Sequence, residues 1–153
     1  MFVEKLRIPI SEIFLGQNFL VYLFENPQIA HSKIIRACIA DFLEGRLDCK
    51  KPASVYWSKS DTRNYVAIAV AAMPIGIDIE YMRKRPFEKL SRRFFHSSEI
   101  TSDMEKFYEI WTSKEACVKR DKLTIATNLA DPPTGTIIIL EDIPPPLKGA
   151  IAL

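Results

Sequence analysis

Apolar residues recur along this chain in two rhythms, and the changes from one to the other mark its elements. Residues 5–10 and 19–24 read as short strands, broken near Gly16-Gln17-Asn18. From residue 30 to 44 the apolar positions Ile34, Ile35, Cys38, Ile39, Phe42 and Leu43 fall at helical spacing, with Gly45 as the stop. Residues 65–73 are nearly all apolar and rich in Val, Ile and Ala, which predicts a strand buried on both faces. Strict alternation takes over in Gly76-Ile77-Asp78-Ile79-Glu80, a strand with Ile75, Ile77 and Ile79 toward the core. Helical spacing returns at 87–95, with Phe87, Leu90, Phe94 and Phe95 inward, and at 105–120, packed through Phe107, Ile110, Trp111 and Val118. Between these two helices, Ser97 or Ser98 reads as a cap. Strands are expected at 123–127 and 136–140, joined by the Asp131-Pro-Pro-Thr-Gly turn. The pattern assigns no element to 143–153.

Two of these elements present chemistry. In a strand, residues i and i+2 share a face, so Asp78 and Glu80 hold two carboxylates side by side. In a helix, i, i+4 and i+8 share a face, which aligns Trp111, Glu115 and Lys119. Brought together, the two faces gather three carboxylates beside a lysine and an aromatic wall. Carboxylates that cannot relieve one another's charge call for a cation, and an all-oxygen site suits Mg²⁺. Asp78 and Glu115 are expected outside the apolar core. Either signal alone more often marks a solvated strand edge or a helix surface; order, spacing and context together raise it to a candidate site.

Composition bounds the rest. A chain of 153 residues, 48% hydrophobic and 26% charged, is the size and make-up of one compact globular domain or two small halves sharing a core. A net charge of +2 is too small to imply nucleic acid by itself. Cys38, Cys49 and Cys117 are odd in number and lack Cys-x-x-Cys spacing, which argues for reduced thiols rather than a disulfide scaffold or a zinc site. His31 and His96 are too far apart to suggest a metal cluster. Glu4 and Glu12 within the apolar N-terminal region are wrong for a signal peptide, and the run 65–77 is too short to span a membrane. A cytoplasmic protein is expected. Arg83, Lys84, Arg85, Lys89, Arg92 and Arg93 concentrate positive charge within a dozen residues, either as a solvated helix face or, with aromatics interspersed, as a nucleic-acid patch that no accompanying motif supports.

Gly76 to Glu80, then Arg93-Phe94-Phe95 with Glu99 four residues beyond, then Trp-x-x-Lys-Glu-Ala-x-x-Lys from Trp111 to Lys119, together resemble the 4′-phosphopantetheinyl transferase superfamily. The similarity is greatest to its surfactin-synthetase-activating, single-chain pseudo-dimer type. That resemblance implies an α+β fold of two similar subdomains, 1–74 on the coenzyme A side and 75–153 with the metal and catalytic motifs, and an active site in the cleft between them. It implies Mg²⁺ held by Asp78, Glu80 and Glu115, and Glu99 as the base for an acceptor serine. Lys119 would act on the departing 3′,5′-ADP, with Lys114 near the phosphates and Trp111 as a packing anchor.

Upstream, Ala30-His31 resembles the start of an Ala-His-Arg motif whose arginine holds coenzyme A. Ser32 takes the arginine position here, leaving Lys33 or Arg36 to supply its charge. Lys50-Lys51-Pro52 resembles a Gly-Lys-Pro element, which puts Lys51 and Pro52 at the adenine end. Residues 55–60 resemble a strand ending Ser-His-Ser; Ser58-Lys59-Ser60 places a lysine where a phosphate-contacting histidine is expected. Arg120-Asp121-Lys122-Leu123 replaces the usual Gly-x-Gly-Leu.

The implied activity is transfer of phosphopantetheine from coenzyme A to a serine of an acyl or peptidyl carrier protein. Such carriers are acidic, and the basic stretch would attract them. Two other readings compete. One is a catalytically weakened relative that binds coenzyme A or a partner. The other is a small nucleic-acid-binding domain, against which three carboxylates beside the basic patch argue.

Overall fold

The computed structural model describes residues 18–44, 54–123 and 129–153. The strand expected at 5–10, the stop at Gly45, Cys49, the Lys50-Lys51-Pro52 element and residues 124–127 of another expected strand lie outside them. What is described is an α+β fold of two three-stranded antiparallel sheets and three α-helices. The first sheet contains β1 (Phe19–Glu25), β2 (Tyr56–Thr62) and β3 (Tyr65–Ala71), in the order β1-β3-β2. Helix α1 (His31–Glu44) connects β1 to β2. The second sheet contains β4 (Gly76–Tyr81), β5 (Ile137–Ile139) and β6 (Leu147–Ala152), in the order β4-β6-β5. Helices α2 (Phe87–Phe94) and α3 (Met104–Arg120) lie between β4 and β5. Both sheets therefore place their third strand between the first and the second, with the helical connection after the first.

The layers follow from which side chains each strand offers. On β3, Val66, Ile68 and Val70 pack with Tyr22, Phe24 and the Ile34, Cys38 and Phe42 face of α1. The alternate residues Ala67, Ala69 and Ala71 join Phe19, Val21 and Leu23 against Ile75, just before β4, and Ile77, Ile79, Leu147 and Ile151 of the other sheet. A helix on one side and a second sheet on the other explain why this strand is apolar throughout. The opposite face of the second sheet is covered by α3, which packs on both β4 and β6. Gly76 makes this approach possible: a Cβ there would lie 1.8 Å from the Ala116 carbonyl oxygen of α3, closer than any real contact.

Helix α3 is fixed at both ends. Asp103 caps it, accepting from Lys106 N at 2.7 Å, so the helix begins just before the expected residue 105. Lys148 of β6 pairs with Glu105 and Glu109 in its first turns. Arg120 in its last turn donates to the carbonyls of Thr134 and Leu153. Phe87, Phe95 and Phe107, with Tyr108 and Trp111, form an aromatic cluster that seats α2 on α3.

Three findings correct the sequence pattern. Residues 147–152, which had no assignment, form the central strand of the second sheet. The cap before α3's approach is His96, not Ser97 or Ser98: its ring accepts from Ser98 N, while Glu99 accepts from His96 N, around a single 3₁₀ turn (Ser97–Glu99). Leu123 is exposed and belongs to no strand. Cys38 and Cys117 are free and buried, and burial pushes the Cys38 thiol up to about 12. Among the described residues no helix is long and apolar enough to cross a membrane.

Candidate functional site

β4 and α3 build the site between them. β4 sends Ile77 and Ile79 into the core shared by the sheets, so Gly76, Asp78 and Glu80 face the helix. Against them α3 sets Trp111, Glu115 and Lys119 at successive turns. Contrary to expectation, Asp78 is buried: its side chain is 4% exposed, because the helix that Gly76 admits closes over it. Its Oδ1 accepts from Lys119 Nζ at 2.7 Å and from Ser60 Oγ at 2.9 Å. Lys119 also donates to the Ile77 carbonyl at 3.0 Å and stays 26% exposed. Asp78 Oδ2 is buried and has no hydrogen-bond partner among the described residues.

The electrostatics follow from burial and mutual repulsion. Asp78 is raised above the usual carboxylate range by burial, which Lys119 and Ser60 only partly offset. Burial and then Asp78 raise Glu80, against the pull of Arg85, Lys119 and Arg83. Glu115 is pushed up to about 7 by burial first and Asp78 second; Lys119 and the Trp111 side chain oppose the shift and Glu80 adds to it. The three carboxylates thus feel one another strongly. Among the described residues, however, no three His, Cys, Asp or Glu side chains are gathered tightly enough to enclose an ion. Lys119 and Ser60 both hold the Asp78 carboxylate, through Oδ1.

The other candidate residues lie around this centre in different roles. On β2, Ser58, Ser60 and Thr62 point toward the second sheet and Lys59 toward α1, as the register against Ala69, Ala67, Tyr65 and Ile68 requires. Lys59 pairs with Asp61 and reaches His31 Nδ1 at 3.2 Å, and its hydrogen bond holds the Asp61 carboxyl below the usual range. Lys33 is exposed on the first turn of α1. The hydroxyl of Ser58 is buried and accepts from Ile77 N at 3.1 Å. Glu99 and Lys114 form a separate ion pair at 2.7 Å. Lys114 is 1% exposed, donates also to the Asp131 carbonyl and sits 5.4 Å from the Phe95 ring centre. The expectation of Lys114 beside phosphates therefore meets a buried ammonium already committed to Glu99.

Residues 74–143, from just before β4 to just before β6, match the family model of the 4′-phosphopantetheinyl transferase superfamily. Over that stretch, somewhat under half of its length, the chain is similar to the superfamily. Over 73 residues it is 30% identical to the 4′-phosphopantetheinyl transferase gsp of Aneurinibacillus migulanus, a stretch covering 42% of this chain and 30% of that relative. The chain thus spans well under two thirds of the relative's length. The segment matched to the superfamily contains Asp78, Glu80, Glu99, Lys114, Glu115 and Lys119, whereas Lys33, Ser58 and Lys59 lie upstream of it.

Sequence reading overlooked two features of this site. Ser60 and Thr62 reach β4 through their hydroxyls, and the polar alternation Ser58-x-Ser60-x-Thr62 was the available signal. Lys148 and Arg120, which hold α3 in place, lacked any local signal because their partners are distant in sequence.

Proposed function

We propose that this chain transfers the 4′-phosphopantetheine arm of coenzyme A to a serine of an acyl or peptidyl carrier protein, with Mg²⁺ and release of 3′,5′-ADP. The observation that carries the reading is Asp78 Oδ2, a buried acceptor without a donor among the described residues, beside two further carboxylates whose pKa values burial and then repulsion have raised. By its chemistry that all-oxygen donor set suits a hard divalent cation, and Asp78, Glu80 and Glu115 would hold it by closing together from the separation seen here. When bound, such an ion neutralises charge on the phosphoryl oxygens.

Lys119 is the ammonium at the edge of this group that keeps a solvent-facing side, and it would take the charge of the departing ADP. Glu99 accepts from both Lys114 and His96 N through Oε2, leaving Oε1 to receive the serine proton directly or through a water. As that proton leaves, the serine oxygen bonds to phosphorus and the pyrophosphate bridge breaks, its electron pair departing with ADP. Lys33, Lys51, Pro52, Ser58, Lys59 and Lys114 remain candidates for the coenzyme. An acidic carrier would dock at the basic residues 83–93; Arg85, Lys89 and Arg92 border an open groove of about 570 Å³ there. The reaction and its substrates point to the cytoplasm.

Incubation with apo carrier proteins, coenzyme A and Mg²⁺ should add the phosphopantetheine mass to the carrier, and chelation of the cation should prevent it. No increment with any carrier, in a protein that binds the cation, would end the transferase reading. A second reading has its own support: Lys59 and Lys114 are held by intramolecular partners. It describes a coenzyme A- or partner-binding relative without transfer, and predicts calorimetric binding of coenzyme A with no increment.

A further inference from the structure

Among the described residues β4 is an edge strand of its sheet, paired only with β6. An edge leaves alternate backbone N–H groups without ladder partners, and buried ones must find acceptors elsewhere. Here they find side chains. Ser58 Oγ accepts from Ile77 N at 3.1 Å, Ser60 Oγ from Ile79 N at 3.1 Å and Thr62 Oγ1 from Tyr81 N at 3.3 Å. Each rung joins residues the same distance apart in sequence, so β2 and β4 run side by side and parallel. Three hydroxyls thereby replace the carbonyls of a missing ladder and fasten the first sheet to the second.

The middle rung differs from the others. A serine hydroxyl has one proton to donate and lone pairs to accept with. Ser60 accepts from Ile79 N and faces Asp78 Oδ1 at 2.9 Å, nearer than the Ile79 carbonyl at 3.5 Å. Its proton therefore goes to the carboxylate. With Lys119 on the same oxygen, Oδ1 has two donors among the described residues and Oδ2 has none. The acceptor left over is the one a cation can use.

We propose that Ser60 is a positioning residue: seated on the β4 backbone, it fixes Asp78 by Oδ1 and so presents Oδ2 to a divalent cation. This rests on reading Asp78, Glu80 and Glu115 as a cation site. It makes the grip of the first sheet on β4 part of cation binding as well as of stability.

The test uses Mn²⁺, which takes oxygen ligands like Mg²⁺ and can be counted by electron paramagnetic resonance. Mn²⁺ affinity is measured without coenzyme A or carrier, alongside thermal melting, for the unsubstituted chain, Ser60→Ala, Ser60→Thr and Thr62→Val. Ser60→Ala should bind Mn²⁺ roughly tenfold more weakly, the low end of what a ligating carboxylate loses with its hydrogen-bond partner. Ser60→Thr keeps the hydroxyl and should restore affinity. Thr62→Val removes a rung that does not touch Asp78; it should melt lower yet bind Mn²⁺ as tightly as the unsubstituted chain. Should Ser60→Ala fail to fold, Ser60→Cys, which offers only a weak donor, is read in its place. Unchanged affinity in the Ser60 variant, or equal weakening in Thr62→Val, would overturn the proposal while leaving the cation site standing. No Mn²⁺ binding by the unsubstituted chain would overturn the cation site itself, and this inference with it.

Discussion

The two helix-covered sheets share a topology but differ in what the helix covers. Under α1, the first sheet offers Tyr22, Phe24, Val66, Ile68 and Val70, and the helix answers with Ile34, Cys38 and Phe42. Beneath α3, the buried apolar contacts shrink to Ala116, Cys117 and Ala152, and the space left by small residues holds Asp78 with Lys119. Large apolar side chains stabilise by area removed from water, whereas a buried carboxylate costs stability unless it is paired. One half of the molecule thus uses its helix–sheet interface for cohesion. The other accepts a weaker interface and gains a place where charge is held dry and close to solvent.

The sharpest way to break this contrast is to attack cohesion alone. Phe42→Ala, in the apolar interface, should cost about 3–5 kcal/mol in denaturant unfolding and leave the Mn²⁺ affinity of the folded fraction unchanged. A parallel loss of affinity would show that the halves are not separable in this way. Next in size is Gly76→Ala. Its Cβ would strike the backbone of α3, so the helix must shift, at a cost of about 3 kcal/mol. Unlike Phe42→Ala, it should also weaken Mn²⁺ binding, because the shift carries Glu115 and Lys119 away from Asp78.

A pH experiment reads the charged interface more gently. In the folded chain Glu115 is raised to about 7 from an ordinary 4.5, and Asp78 and Glu80 are raised as well. A carboxyl raised by folding binds more protons folded than unfolded, so its contribution is complete below the unfolded value and lost as pH rises through the folded one. Without divalent cations, stability should therefore fall between pH 4.5 and about 7, and Glu115→Gln should flatten the fall. Asp61 and Asp121 are lowered instead, so what they contribute is lost only in acid, as pH drops through values below their ordinary 3.8. A flat profile from 4.5 to 7 in the unsubstituted chain would contradict the burial and crowding of the carboxylates. The smallest effect belongs to the rim. Lys148→Ala removes partly exposed pairs with Glu105 and Glu109 and should cost no more than about 1 kcal/mol on melting.

How much of this was legible depended on how local each feature is. β4 and α3 follow from short-range periodicity, so the facing of Asp78 and Glu80 and of Trp111, Glu115 and Lys119 could be read directly. The burial of Asp78 could not, because it depends on Gly76 admitting a helix some forty residues downstream. The burial of Lys114 against Glu99 was hidden for a related reason. Its neighbour Glu115 faces β4, but a step of one residue turns the side chain about 100° round the helix, toward Glu99 and Asp131. β6 was missed because Leu147-Lys-Gly-Ala-Ile-Ala has neither clean alternation nor β-branched richness; its place is set by β4 and β5 on either side.

The central position of β6 also bears on how the molecule comes together in time. β2 and β3 meet across the two-residue turn Arg63-Asn64, a contact the chain can close early and alone. The partner of Asp78 in its sheet is Ala150, and the whole stretch carrying α2, α3 and β5 must be gathered before that pair can form. Pairings so distant in sequence are slow, because loop entropy is lost before contacts repay it. In refolding followed by hydrogen exchange, the β2–β3 amides should gain protection first and those of β4 and β6 last. The carboxylate centre would then be the final part of the molecule to exist.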